Sequence, residues 1–187
     1  MALRMLQADE IESLNEGSRT ANIVREHYYN TLANCLHQHH WTFATKKASL
    51  QPLANCPVSE FQYAYKLPTD ELEIINISGP GGVATQHYTV VSGNVLCTDT
   101  PAPLDIFYLY RPPVAYMPAY FIDYFVEALA EELAAVFGYN LEGQRMFHER
   151  IYGREGKLGL AIRRDIMNHP RPSRPMIYDS IGGSRLW

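Results

Sequence analysis

His39-His40-Trp41-Thr42-Phe43-Ala44-Thr45-Lys46-Lys47-Ala48-Ser49-Leu50, the stretch HHWTFATKKASL at positions 39–50, lies where the chain changes from one periodicity to another. Upstream, Ala21, Val24, Tyr28, Leu32, Cys35 and Leu36 recur at spacings of three and four, the pattern of one helical face. Ser18 or Thr20 can cap that helix, and a shorter helix around Ile11 and Leu14, ended by Gly17, is expected before it. Downstream, Pro52, Pro57, Pro68, Pro80 and the run GPGG break any helical period. Alternating runs such as QYAYKL and LDIFYLY predict short strands joined by turns. Within that block VVSGNVLCTD reads as a hairpin turning at Ser92-Gly93-Asn94.

After Pro112-Pro113 the helical period returns, with Phe121, Phe125, Ala128, Leu129, Glu132, Leu133 and Val136 on one stripe and Gly138 as the stop. A further helix is expected from about Leu141 to Ile166, with Phe147, Ile151, Leu158, Ile162 and Ile166 inward. Gly153, Gly156 and Gly159 predict either a break near 153–159 or a close backbone approach there. The fold expected is α+β: a bundle of long helices (1–40 and 113–168), an inserted small antiparallel β domain (41–112), and an extended C-terminal tail (169–187).

The bulk numbers bound the function. With 187 residues, 47% of them hydrophobic, the chain can bury a core as one domain or as one domain with an insertion. A net charge of −4 argues against a protein that wraps the phosphate backbone, because that work needs clustered Lys and Arg in excess. No apolar run approaches a bilayer span, and MALRMLQADEIE lacks the apolar core of a signal peptide, so synthesis in the cytoplasm without membrane insertion is expected. Three widely spaced cysteines, Cys35, Cys56 and Cys97, with no CxxC, predict reduced thiols. Thirteen tyrosines suit a protein that makes contacts with other proteins.

The chemical motifs are weak. Cys35, His37, His39 and His40 crowd together, but a zinc site draws ligands from two separated segments and no second cluster follows, so no metal is expected. A protonated imidazole near a helix C-terminus is the simpler role. The run SGPGGVAT lacks the Lys-Ser/Thr of a phosphate-binding loop, there is no GxSxG, and Asp70-Glu71 or Glu131-Glu132 read as solvated acids. No catalytic residue or cofactor is therefore expected. Charge is more informative: Asp123, Glu127 and Glu131 repeat every fourth residue, and Arg150, Arg154, Lys157 and Arg164 form a basic counterpart on the following helix. The two could pair within a chain or between copies.

Taken in order, these features resemble the head-tail adaptor of short-tailed phages, the tail tubular protein A family. The resemblance rests on Trp41-x-Phe43-Ala44 after the first long helix and on Tyr65-x-Leu67-Pro68-x-Asp70. A Gly-containing hairpin leaving through Thr98-Asp99, and the helix Phe125-x-Glu127-Ala128-Leu129-Ala130, complete it over roughly residues 19–166. His40 stands where family members tend to have proline, which leaves the first helix less sharply ended. The resemblance implies a virion structural protein, made in the host cytoplasm, that forms a ring of about twelve copies between the portal protein and the tail nozzle protein, with double-stranded DNA passing through unbound. At −4 per chain such a ring would present a neutral or electronegative channel.

Under that reading Trp41 and Phe43, alternating with Thr42, anchor the β insertion to the helices. Asp123, Glu127 and Glu131 meet Arg150, Arg154 and Lys157 between protomers. The tail docks on the portal through Arg171, Arg174, Met176, Ile177, Tyr178, Ile181, Leu186 and Trp187. The competing classes are a tail-associated cell-wall hydrolase, which needs a carboxylate tuned in a cleft, and a generic cytoplasmic protein-binding module.

Overall fold

The computed structural model describes residues 1–91 and 94–168, and the tail 169–187 with its expected docking residues lies outside them. The architecture is mixed α and β. The helices are α1 (Ala2–Met5), α2 (Arg19–His37), α3 (Ala119–Val136), α4 (Leu141–Tyr152) and α5 (Lys157–Asn168). Between α2 and α3 lie β1 (Thr45–Pro52), β2 (Tyr63–Lys66), β3 (Glu71–Ser78), β4 (Tyr88–Val91), β5 (Val95–Thr98) and β6 (Leu104–Tyr110).

The six strands form one curled antiparallel sheet in the order β3-β6-β1-β2-β5-β4. β1 serves both halves of it, pairing with β6 from Thr45 to Leu50 and with β2 at Gln51 and Pro52. The expected hairpin is β4–β5, in register from Tyr88↔Thr98 to Val91↔Val95. Of its turn residues only Asn94, at φ 57, is described, and Ser92 and Gly93 lie outside the described residues.

Two cores result. Inside the curl, Leu50, Tyr65, Leu67, Ile77, Leu96, Leu104, Ile106 and Tyr108 pack together. The helices bury a larger cluster that includes Leu36, Trp41, Phe121, Leu133, Phe147 and Ile151, together with Leu109 from the sheet. Strand alternation explains how one sheet feeds both. On β6 the even positions Leu104, Ile106 and Tyr108 enter the curl, while Leu109 faces the helices. On β3, register shifts between Glu71 and Glu73 and between Ile74 and Asn76 let Leu72 and Ile75 join the helical core while Ile74 and Ile77 fill the curl.

Two local expectations are corrected, and one open alternative is decided. Residues 11–14 are not helical: the Glu16 carboxylate accepts the backbone N–H of Glu12 at 2.7 Å, and such side-chain capture competes with helix formation. The helix over 141–166 takes the broken alternative that its glycines left open, and is two helices separated at 153–156. At Gly156 an added Cβ would fall 2.3 Å from the Ile151 carbonyl oxygen, so the glycine permits a backbone crossing. Ile166 points outward, 52% exposed, and Asp165 takes the inward position at 0%, because Leu158, Ala161 and Asp165 share one face of α5 at spacings of three and four.

Candidate functional site

The residues that join helices to sheet form the most organised polar and aromatic cluster in the described structure. α2 ends at His37, and the chain enters β1 through a single 3-10 turn, Thr42–Ala44. That turn replaces the strand-like alternation expected for Trp41-Thr42-Phe43. Trp41 is fully buried, its ring centroid 5.1 Å from Phe121 and its indole N–H donating to the Cys35 carbonyl at 3.0 Å. Phe43 packs on the same helix, 5.0 Å from Phe121 and 6.4 Å from Tyr120. Both aromatics thus anchor the start of β1 to α3.

Thr42 turns toward α5. Its backbone N–H donates to Asp165 Oδ2 at 3.1 Å and its hydroxyl to Oδ1 at 2.8 Å, while the Tyr120 hydroxyl donates to Oδ1 at 2.7 Å. His39 Nε2 stands 3.6 Å from Oδ2, its ring edge-on to Trp41 at 5.1 Å. A buried carboxylate is costly unless its lone pairs are taken, and here several donors converge on it. Burial, and then the bond to Asp165, push the Tyr120 phenol above its ordinary range, so it remains a donor at any physiological pH.

Asp165 was not singled out in the sequence. The available signal was its spacing of four from Ala161 and seven from Leu158, both on the apolar face of α5.

The acidic and basic faces of α3 and α4 meet within one chain. Glu127, 5% exposed, accepts from Arg150 Nη2 at 2.6 Å, and Glu131 contacts His148 Nδ1 at 2.8 Å. For Glu127 and Arg150 this corrects the inter-protomer expectation: Glu127 lies under α4, where a neighbouring copy cannot reach it, and Arg150 covers it. Asp123 and Arg154 are exposed and Lys157 is half-buried.

The crowded Cys35–His40 segment does not converge. His37 bonds Glu73 on β3 at 2.9 Å, His39 faces Asp165, His40 is exposed, and Cys35 is buried. Among the described residues no group of three metal-ligating side chains gathers. A cavity of about 220 Å³ between α2, α3 and α4 is lined by Asn34, Cys35, Tyr124, Glu131, Glu132 and Tyr152, among others. Burial pushes the Cys35 thiol up to about 12, which keeps it protonated and unreactive near neutrality.

No protein-family model and no curated protein matches the chain.

Proposed function

We propose that the protein is a head-to-tail adaptor of a short-tailed phage, a ring-forming structural component between portal and tail nozzle. One observation carries the reading: two motifs far apart in the sequence, both part of the resemblance to that family, come together where the Trp41–Ala44 turn packs on the helix that carries Phe125–Ala130. The Trp41 and Phe43 rings lie against α3 one turn before its Phe125–Ala130 segment. The remaining motif residues are framework. Tyr65 and Leu67 fill the curl, Asp70 ties Lys46 to Tyr108, and the Thr98 hydroxyl donates to the His87 carbonyl. Residues serving as joints suit a protein that transmits position more than one that turns over a substrate.

On this reading α2 to α5 act as a bundle that stacks copies side by side, and the sheet hangs from it as an inserted β domain. Contacts between copies use Asp123, Arg154 and Lys157, since Glu127 and Arg150 are committed to one another. The tail 169–187 engages the portal, and DNA passes without specific binding. Electron microscopy of the protein mixed with purified portal tests this: rings of about twelve copies seated on the portal are expected. Single copies that leave the portal bare overturn it.

A further inference from the structure

Where the helices do not cover it, the outer face of the curled sheet should be open to solvent, yet on β5 it is closed. On β5 Leu96 points into the curl, so its neighbour Cys97 points outward, but Cys97 is 0% exposed. Its pairing partner across the ladder, Ala64 on β2, is also outward and only 1% exposed. These two small side chains leave a shallow bed, and the irregular loop 53–62 lies in it.

The loop is pinned at both ends. The Leu53 N–H donates to the Ala64 carbonyl at 2.8 Å, the Gln62 N–H donates to Asp99 at 3.1 Å, and the Phe61 ring sits 5.0 Å from His87. At its centre Cys56 and Val58 come close enough to Cys97 for the two thiols to perturb one another. Both cysteines are free, Cys97 fully covered and Cys56 half-buried.

We propose that Cys56 and Cys97 form a redox-dependent disulfide that staples loop 53–62 onto β5 when the protein meets an oxidising disulfide such as oxidised glutathione. The order of events follows from access. Cys56, the reachable thiol, loses its proton and attacks one sulfur of oxidised glutathione. The first glutathione thiolate leaves, and a mixed disulfide remains on Cys56. The Cys97 sulfur then attacks Cys56 Sγ, gives its proton to solvent, and expels the second glutathione as thiolate. Two protein thiols are oxidised, and one oxidised glutathione becomes two reduced ones.

Burial, and then the neighbouring Cys56, hold the Cys97 thiol up at about 11, so the second step is the slow one. A disulfide needs its sulfurs about 2.0 Å apart, and the irregular loop can supply the closing movement more readily than β5 can. Cys35 takes no part, being buried among the helices.

The inference stands on the chain alone and is independent of any role in a virion. The full chain is incubated in glutathione buffers of graded oxidation, quenched with an alkylating agent and mapped by mass spectrometry. The expected result is a Cys56–Cys97 linked peptide, a loss of two hydrogens in intact mass, Cys35 still alkylated, and a higher Tm than the reduced form. Cys56→Ser should abolish the link and leave Cys97 unmodified, whereas Cys97→Ser should stop at the glutathione adduct on Cys56. Wild-type protein that accumulates the Cys56 adduct, links Cys56 between two chains, or keeps both thiols free in the most oxidising buffer overturns the proposal.

Discussion

Asp165 shows how much one side chain can decide in this fold. Its carboxylate receives the Thr42 backbone N–H, the Thr42 hydroxyl and the Tyr120 hydroxyl, so it joins α5, α3 and the entry to β1 at one point. The two hydroxyls can rotate and become acceptors, but the backbone N–H cannot. Asp165→Asn, even with its oxygen on the Thr42 N–H and its NH2 on the two hydroxyls, should lose stability by about 1–3 kcal/mol because charge-assisted bonds become neutral ones. Chemical denaturation at neutral pH measures this, and a midpoint equal to that of wild type would show that the convergence carries no stability. Trp41 and Phe43 were legible because large aromatics after a helical stripe must find a core. Asp165 was not, because an aspartate on an apolar helix face reads as solvated until Thr42 and Tyr120, far away in the sequence, are seen to supply its donors.

At the scale of elements, the strands were legible from alternation and the long helices from their three-and-four spacing, while the ends depended on particular local bonds. Gly156 sets one such end. Its Cβ-free backbone lets the chain pass 2.3 Å, measured to an ideal Cβ, from the Ile151 carbonyl, and a carbonyl in a helix end cannot move aside cheaply. Gly156→Ala should destabilise by about 1–3 kcal/mol, read as a lower Tm, whereas an unchanged Tm would mean that the α4–α5 corner is plastic.

The sheet has its own electrostatic tie. Lys46 on β1 bonds Asp70 at 2.6 Å, and that bond, opposed by partial burial, holds the Asp70 carboxyl below the usual aspartate range. A depressed folded pKa gives stability that is present above the unfolded value, about 3.9, and lost as pH falls through the folded one. Lys46→Met should therefore melt below wild type at pH 7, and the two Tm curves should converge as pH drops below about 4. Parallel curves throughout would assign the difference to packing of the lysine stem.

For the whole molecule, the two cores divide the work: one fills the curl of the sheet and the other joins the helices, with β3 and β6 contributing to both. Among the described residues every buried hydrophobic side chain of these cores lies between Ala2 and Ala161, and the last buried side chain is Asp165. A chain ending at Asn168 contains every one of these buried side chains, and it should melt at the temperature of the full-length protein. The segment it lacks carries Met176, Ile177, Tyr178, Ile181, Leu186 and Trp187 among three prolines and three arginines. Prolines disfavour helix and favour an extended backbone, and large aromatic ends are the anchors by which an extended segment offsets its ordering entropy on a partner. Under the adaptor reading that partner is the portal, and its acidic residues would meet Arg171, Arg174 and Arg185. The 1–168 chain should then keep its Tm while its affinity for purified portal falls at least tenfold, with Trp187→Ala giving a smaller loss in the same direction. Undiminished portal affinity would remove the docking role from the tail, and a lowered Tm would make the tail part of the fold instead.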